Sequence, residues 1–386
     1  MRVFLGALFL VFGLFAEEPI AFWLTWQNSP ETTMVIHWLT PKEEANSRLY
    51  FREKGEASFE KVEGDHRLLP QDAPYYVNSL ELIDLKPDHT YEIKWEESVY
   101  KFKTAPQNLR NPVRFIEGGD IYHEDIEVVA AMNRIAASCD PLFAVCGGDL
   151  AYSCSGSNRN MEKAERWIEW LVCWSKTMLT QEGRVIPMLP VIGNHEVKGR
   201  GLKSPSQAPF FYHLFALPED QGYRSIRFGH YLTLILLDSN HTNAVGGEQK
   251  EWLKARLKEG NTTYRFPIYH VPAYPSHRTY TRPTSVDIRN HWVPLFEDFG
   301  VTAVFEHDDH LYKRTYPLRK GLKDPNGILY LGDGAWGVNK PRMAKTSWYL
   351  ARTASIRHLF LVTLSYTGAK IDVLQENGEI FETLTR

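Results

Sequence analysis

Apolar segments in this 386-residue chain repeatedly end on a carboxylate, an amide or an imidazole. The segments and their polar residues are VRFIEGGD with Asp120, LFAVCGGD with Asp149, VIPMLPVIGNHE with Asn194 and His195, RFPIYHVP with His270, and VTAVFEHDDH with Asp308 and His310. Stretches with helical spacing, such as EDIEVVAAMNRIAA and GEQKEWLKARLKE, lie between them. Strands that alternate with helices predict an α/β layered domain whose site forms at the carboxyl ends of the strands.

The polar residues at these strand ends predict a metal centre. A single aspartate after a strand is usually a helix cap or a turn residue. Carboxylates, an amide and imidazoles delivered by five strands to one edge are hard to explain as caps. Oxygen and imidazole donors without thiolates suit Mn, Fe, Zn or Mg. A carboxylate can bridge two such ions, and two ions can clamp a phosphoryl group during an in-line displacement.

Short aromatic and β-branched runs fill the chain between Pro19 and Pro106 and predict a separate all-β sandwich. Within it, LKPDHTY from Leu85 to Tyr91 is similar to the tyrosine corner of a fibronectin type III-like sandwich. The turn-rich stretch FKTAPQNLRNP then leads into the α/β pattern. We therefore expect an N-terminal domain at 17–106, without chemistry of its own, and a catalytic domain at 107–386.

The first residues, MRVFLGALFLVFGLFAEEP, predict a signal peptide over 1–16 and a secreted or periplasmic protein. Arg2 is followed by an apolar run, Val3 to Phe15, that is too short to span a bilayer, and Ala16 is a plausible cleavage point. The alternative is a buried N-terminal helix or strand. No later segment is apolar enough for a stable membrane insertion, and the sequence indicates no oligomeric state. A net charge of −3 without a basic run gives no indication of nucleic-acid binding, and we expect no nucleic-acid partner.

The motifs GGDIY, GGDLAY, GNHE, YHVP and FEHDDHLYKR occur in the order of the metallophosphoesterase motifs, in the calcineurin-like phosphoesterase superfamily. The tyrosine of GDLAY and the fibronectin-like leader resemble the purple acid phosphatases within that superfamily. GNHE and GDLAY are specific signals, whereas GGD alone is weak. The resemblance implies a layered β-sandwich flanked by helices for the catalytic domain.

The resemblance also implies two metal ions. Carried over to this sequence, the ligands of the first ion are Asp120, Asp149, Tyr152 and His310, and those of the second are Asp149 as a bridge, Asn194, His270 and one further residue. Two carboxylates and a phenolate suit trivalent iron at the first site. A divalent ion, Fe, Zn or Mn, is expected at the second site.

The further ligand of the second ion falls in FEHDDHLYKR. Purple acid phosphatases usually have GHVH there, and alignment on the final histidine places Asp308 where the earlier histidine belongs. Because residues at i and i+2 share one side of an extended segment, we expect Asp308 to face the metals with His310, and His307 to face away. A shifted loop that uses His307, or a weak site that uses neither, are the alternatives. An aspartate also lowers the charge of the site, which predicts a shift towards diesters.

The implied reaction is the hydrolysis of a small phosphate-ester substrate, in which the metals lower the pKa of a bound water that attacks phosphorus. His195 is expected to orient the phosphate or to protonate the leaving group, and Glu196 to orient His195. His277 contacts substrate or is a solvated loop histidine. Tyr122, where these phosphatases have glycine, lies at the metal rim or in the core.

Three other functions are compatible with parts of this pattern. The first is a phosphodiesterase or nucleotide hydrolase on the same site. The second is a non-catalytic exported binding module with a decayed metal site. The third is a structural calcium site, which two histidines and a tyrosine among the ligands argue against.

Overall fold

The computed structural model describes residues 19–42, 47–156, 159–199, 201–217, 221–260 and 262–386. The predicted signal peptide at 1–16 lies outside the described residues. No helix in the described ranges is both long enough and apolar enough to cross a membrane.

The N-terminal domain is all-β, as the aromatic and β-branched runs predict. Its strands are β1 (Ala21–Thr25), β2 (Met34–Pro41), β3 (Arg48–Glu53), β4 (Glu60–Glu63), β5 (Asp65–Leu68), β6 (Tyr75–Leu82), β7 (Thr90–Trp95) and β8 (Ser98–Lys103). They form two sheets with strand orders β1-β2-β6-β5 and β4-β3-β7-β8. The hydroxyl of Tyr91 accepts a hydrogen bond from the backbone N–H of Lys86 at 2.8 Å, which is a contact of the kind expected at the predicted corner.

The N-terminal domain shares its hydrophobic core with the rest of the chain. The Trp26 ring is fully buried and makes edge contacts with Phe143 and Phe228 of the following domain, at centroid distances of 6.0 and 5.6 Å. The buried guanidinium of Arg224 donates to the carbonyl of Trp26 at 2.7 Å. The all-β domain is therefore packed against the catalytic domain and is not joined to it by the linker alone.

The catalytic domain contains two larger sheets flanked by helices. Its strands are β9 (Val113–Gly118), β10 (Phe143–Cys146), β11 (Met188–Pro190), β12 (Arg224–Phe228), β13 (Leu232–Leu237), β14 (Tyr264–Tyr269), β15 (Val304–Phe305), β16 (Tyr312–Thr315), β17 (Leu318–Arg319), β18 (Leu322–Lys323), β19 (Tyr330–Gly332), β20 (Leu350–Ala354), β21 (His358–Ser365), β22 (Gly368–Gln375) and β23 (Ile380–Thr385). Its helices are α1 (Ile126–Ser138), α2 (Ala164–Thr177), α3 (Pro209–Leu214), α4 (Glu248–Glu259), α5 (Pro283–His291) and α6 (Val293–Phe299).

The two sheets stack with their apolar faces together. One has the order β11-β10-β9-β21-β22-β23 and the other β12-β13-β14-β15-β19-β16-β20. Side chains from both meet in one core, for example Phe115 of β9 and Phe266 of β14, whose ring centroids are 6.0 Å apart. The predicted fold class, an α/β domain of layered sheets after an all-β domain, is confirmed.

Because neighbouring strands are parallel, the motifs that follow them lie at the same edge of each sheet. β9, β10 and β11 are parallel neighbours in the first sheet, and β13, β14 and β15 are parallel neighbours in the second. Since parallel strands end at the same edge, the polar loops that follow them meet at one end of the stacked sheets.

A buried lysine contacts the segments that follow three strands of the second sheet, β14, β15 and β19. Lys313 of β16 lies with its Nζ 2.5 Å from Oε2 of Glu306 and 2.8 Å from Oδ1 of Asp333, and it donates to the carbonyl of Tyr274 at 2.6 Å. Burial lowers the pKa of Lys313, but the neighbouring carboxylates outweigh burial and raise it above its usual value. The lysine is therefore charged and holds two buried carboxylates next to each other.

Replacing this lysine is expected to destabilise the fold strongly. Lys313→Met leaves two buried carboxylates without their cation, and the free energy of unfolding should fall by about 3–5 kcal/mol. Urea denaturation followed by circular dichroism measures the change. The control is Lys370→Met, which removes a half-exposed lysine 2.7 Å from Asp372 and should cost less than about 1 kcal/mol. Equal losses in the two variants would contradict a structural role for Lys313.

Candidate metal centre

The predicted ligands lie on sharp turns directly after the strands. Asp120 follows β9, and Asp149 with Tyr152 follows β10. The backbones of these residues, and those of Asp308 and His310, have φ values between 50° and 72°. Left-handed backbone is uncommon for residues other than glycine and clusters at functional sites, where the surrounding structure stabilises it. The loops therefore turn sharply at the positions where the sequence predicts metal ligands.

Asp120, Asp149 and His270 form a buried cluster whose ligand atoms all lie within 4.8 Å of one another. Nδ1 of His270 lies 3.0 Å from the carbonyl oxygen of Gly147, so it is the nitrogen that donates. Nε2 of the same ring has no hydrogen-bond partner among the described residues and lies 3.2 Å from Oδ2 of Asp149.

The arrangement around His270 requires a positive charge. A neutral ring with its proton on Nδ1 turns the lone pair of Nε2 towards a carboxylate, which is unfavourable unless a proton or a metal ion lies between them. Burial lowers the pKa of His270, but Asp149 and Asp120 outweigh it and raise the pKa to about 10. The carboxylate pair and the orphaned Nε2 atom thus fit a metal ion.

A second group of donors meets around Oδ1 of Asp120. Oδ1 of Asp120 accepts a hydrogen bond from the hydroxyl of Tyr152 at 2.9 Å and lies 2.9 Å from Nε2 of His310. The hydroxyl oxygen of Tyr152 and Nε2 of His310 are 3.2 Å apart. Neighbouring donors bound to one ion at about 2.1 Å lie about 3 Å apart in octahedral geometry. The structure therefore brings these three predicted ligands together at the spacing of a coordination sphere.

His195 lies at the edge of the cluster with Nε2 directed towards it. Its Nε2 is 3.8 Å from Oδ2 of Asp149, and its ring stacks on Tyr152 at a centroid distance of 4.3 Å. Nδ1 lies 2.8 Å from the carbonyl oxygen of Cys154. Asn194 occupies the same turn, is half-buried, and makes no side-chain hydrogen bond to the other described residues.

Asp308 lies beside the three-residue cluster but is not a member of it. Its Oδ1 is 4.0 Å from Nε2 of His270, and its backbone N–H donates to Oδ2 of Asp120 at 2.9 Å. Its carboxylate binds the guanidinium groups of Arg278 and Arg282.

His307, the alternative ligand, faces away from the cluster. Its Nδ1 lies 2.9 Å from the carbonyl oxygen of Tyr269, and its Nε2 lies 2.7 Å from Oε1 of the buried Glu117. Because both ring nitrogens are used, the shifted-loop alternative has no support in this geometry.

Comparison of the sequence with known families agrees with these loops. Residues 19–104 match the family described as purple acid phosphatase, N-terminal domain. Residues 113–311, more than half of the chain, match the family described as calcineurin-like phosphoesterase. The chain belongs to the calcineurin-like phosphoesterase family. Family membership and the likeness to phosphatases support a hydrolase.

Three proteins that this phosphoesterase resembles share 24% of its sequence or less. An uncharacterized protein of Mycobacterium tuberculosis is 24% identical over 387 aligned positions, which cover 83% of this chain and 70% of that protein. The purple acid phosphatase PPD1 from yellow lupin seeds has a TM-score of 0.76 at 14% identity, covering 94% of this chain and 73% of that one. The structure of PhoD has a TM-score of 0.70 at 12% identity, covering 97% and 90%. At these identities the solved structures show the shared fold.

Glu196 does not touch the His195 ring, and its predicted role in the phosphoesterase needs correction. The fully buried carboxylate accepts hydrogen bonds from the backbone N–H groups of Asp149, Leu150 and Gly193 at 2.8–2.9 Å. A carbonyl oxygen, that of Cys154, orients His195 instead. Glu196 is therefore a positioning residue that fixes the Asp149 loop against the GNHE turn.

The ring of His277 bonds to another loop, and its predicted contact with substrate stays a prediction. Its Nδ1 lies 2.9 Å from the carbonyl oxygen of Met343, and none of the described contacts joins its ring to the metal cluster. The next residue, Arg278, reaches the site through Asp308. Arg278, which the sequence analysis does not name, is therefore the residue of this loop that contacts Asp308.

The surroundings of Asp308 also bear on the predicted shift towards diesters, which follows only if the negative charge of Asp308 is uncompensated. Two arginines lie on this carboxylate, and they more than neutralise it. The predicted shift towards diesters therefore loses its basis. The arginines could have been noticed from YPSHRTYTRP, which places two cations within twelve residues of His270.

Tyr122 lies at the rim of the metal centre. Its hydroxyl donates to Glu169 at 3.0 Å, and the guanidinium of Arg166 lies 4.9 Å from its ring centroid. The ring is 6.4 Å from that of Tyr152, centroid to centroid. Burial and the neighbouring Glu169 raise the pKa of Tyr122 to about 12, so it is a neutral phenol that packs beside the predicted tyrosinate.

The glycines before Asp120 and Asp149 leave room for His307. A Cβ atom on Gly147 would lie 2.0 Å from Cε1 of His307, and one on Gly119 would lie 2.5 Å from its Cδ2. The imidazole therefore fits between the two GGD loops only if both positions lack a side chain.

Substitution of Gly147 should disturb this packing. Gly147→Ala forces the His307 ring or the loop to move, and we expect the free energy of unfolding to fall by about 1–3 kcal/mol. Chemical denaturation measures the loss. The control is Gly246→Ala, whose Cβ would meet its nearest neighbour at 3.4 Å and should change stability by less than about 0.5 kcal/mol. An unchanged stability in Gly147→Ala would show that the loops are not held by this contact.

Proposed function

We propose that this chain is an exported dinuclear-metal hydrolase of phosphate esters that acts as a purple acid phosphatase does. The proposal rests on the donor atoms of Tyr152, Asp120 and His310, which lie as close together as the ligands of one metal ion do. The Asp149–His270 pair lies next to them. The hydroxyl of Tyr152 thus lies between a carboxylate and an imidazole, where the loops that match the phosphoesterase motifs meet.

The residues divide into two ligand groups that share Asp149. The first group is Asp120, Asp149, Tyr152 and His310, and the second is Asp149, Asn194 and His270. When bound, two ions supply Lewis-acid activation of water and of the phosphoryl group. Burial and the carboxylates of Asp120 and Asp149 raise the pKa of Tyr152 well above its usual value, so its phenolate needs a strongly charged cation. This favours Fe(III) at the tyrosinate site and a divalent Fe, Zn or Mn ion at the second.

His195 is the residue best placed to handle the proton of the leaving group. Its Nδ1–H is held by the carbonyl oxygen of Cys154, so Nε2 alone exchanges a proton on the side of the cluster. As an imidazolium it can donate from Nε2 to the departing ester oxygen or orient a phosphoryl oxygen. Glu196 supports this step by fixing the turn that carries His195.

Export is part of the proposal and is supported by Arg2, the apolar run from Val3 to Phe15, and Ala16. We expect the mature protein to begin at Glu17. N-terminal sequencing of protein recovered outside the cytoplasm tests this, and an uncleaved Met1 on the recovered protein would contradict it.

Metal content is the first test of the proposed centre. Protein purified without added metal and measured by elemental analysis should contain about two metal ions per chain, one of them iron. Visible absorption from the Tyr152 phenolate should disappear in Tyr152→Phe. The control is Tyr366→Phe, because Tyr366 is an exposed tyrosine in the turn between β21 and β22. The absence of transition metal even after reconstitution would overturn the proposal and favour the exported binding module.

Removal of the imidazole at position 195 is the second test. His195→Ala should lower kcat for a phosphomonoester by about 10²–10⁴-fold while both metal ions remain, because the residue moves a proton and does not bind metal. His66→Ala, on the exposed surface of the N-terminal domain, is the control. Loss of metal in His195→Ala would show that the histidine has been assigned the wrong role.

A further inference from the structure

Two arginines bind the carboxylate of Asp308, which lies beside the metal cluster. Arg278 donates from Nε to Oδ2 at 2.9 Å and from Nη2 to Oδ1 at 2.5 Å, which is the bidentate fork of a guanidinium on a carboxylate. Arg282 donates from Nη1 to Oδ2. A third arginine, Arg342, donates to the backbone carbonyl of Asp308 at 3.4 Å.

These contacts make Asp308 a poor ligand for the second metal ion. Oδ2 accepts from two guanidinium groups, so both of its lone-pair directions are used. Oδ1 accepts from Arg278 and is 4.0 Å from Nε2 of His270, whereas Oδ2 of Asp149 is 3.2 Å from that nitrogen. A carboxylate that is fully buried and held by arginines serves better as their anchor.

The anchored arginines also have N–H groups that donate to no residue in the described part of the chain. Nη1 of Arg278, and Nε and Nη2 of Arg282, have no hydrogen-bond partner among the described residues. Their side chains are 34% and 27% exposed, so these donors are open to a solvent-borne ligand. Asp309 lies nearby, 3.4 Å from Nε of Arg278, and accepts two backbone N–H groups. The net charge is +1 for the group formed by Asp308, Asp309, Arg278, Arg282 and Arg342.

We propose that Arg278 and Arg282, anchored by Asp308, form a guanidinium clamp that binds the phosphoryl oxygens of a phosphomonoester dianion beside the metal centre. This inference rests on the proposed function and names its substrate class. A planar guanidinium matches two phosphoryl oxygens at once, and the attraction is larger for a dianion than for a diester monoanion. The second metal ion is then held by Asp149, Asn194 and His270, and Asp308 is a positioning residue for the clamp.

Phosphate binding tests the clamp without requiring turnover. Inorganic phosphate is titrated into metal-loaded protein by isothermal calorimetry, for the wild type and for Arg278→Gln and Arg282→Gln. Each variant loses one charge-assisted contact, so each dissociation constant should rise about 10-fold. Arg256→Gln, which removes an arginine paired with Glu259 on the exposed face of α4, should leave it unchanged. Unchanged affinity in both clamp variants, or a wild type that does not bind phosphate, overturns the proposal.

Substrate selectivity provides the second readout. The ratio of kcat/KM for 4-nitrophenyl phosphate to that for bis(4-nitrophenyl) phosphate should fall about 10-fold in Arg278→Gln, because the lost contact serves the dianion. A ratio that stays constant or rises contradicts the assignment of the substrate class.

The role of Asp308 is tested by metal content. Asp308→Asn should keep about two metal ions per chain if the residue is an anchor, and a fall to one ion would identify it as a ligand and overturn its assignment. The phosphate titrations of the arginine variants decide the clamp even if Asp308→Asn fails to fold. If the wild-type protein contains no transition metal, the proposed function is contradicted. The phosphate titration of the metal-free protein then still tests whether the arginines bind phosphate.

Discussion

The arrangement of the metal-binding loops depends on the contacts of the His307 imidazole. One of its nitrogens bonds to Glu117 in β9 of the first sheet, and the other bonds to the carbonyl of Tyr269 in β14 of the second sheet. The ring also fills the space between Gly119 and Gly147. One buried side chain therefore fixes the spacing of the two sheets at the edge where their loops carry the ligands. Asp120, Asp149 and His270 each lie within two residues of Gly119, Gly147 or Tyr269, which this ring contacts, and Asp308 directly follows His307.

A second set of buried polar contacts holds the loops from behind. Glu196 binds three backbone N–H groups across the Asp149 loop and the GNHE turn, and Lys313 joins Glu306 with Asp333. Buried charges are costly unless they are fully paired, so these groups stabilise one loop arrangement and penalise others. Metal ligands held in this way are preorganised, which is what binding and catalysis both require.

The sequence predicts the parts of this site that follow from local pattern. Apolar strands that end on Asp120, Asp149 and His270 reveal both the sheets and the ligands, because a strand end fixes where the next residue lies. The contacts of Glu196 cannot be read in this way, since its partners at Asp149 and Leu150 are 46 or 47 residues away and are backbone groups. The same limit applies to Trp26 and Arg224, whose contact joins the two domains over 198 residues.

The loop after His270 illustrates the second limit, which is the direction of neighbouring side chains. In an irregular turn, the backbone angles decide whether His277 or Arg278 faces the site, and neither hydrophobic period nor residue type contains that information. The consequence is electrostatic as well as geometric. Exchanging a neutral histidine ligand for Asp308 removes one unit of charge, whereas adding Arg278 and Arg282 restores two. The charge change at position 308 is therefore negative when only the metal ligands are counted, and positive when Arg278 and Arg282 are included. The effect of a substituted ligand on substrate choice depends on the cations around it.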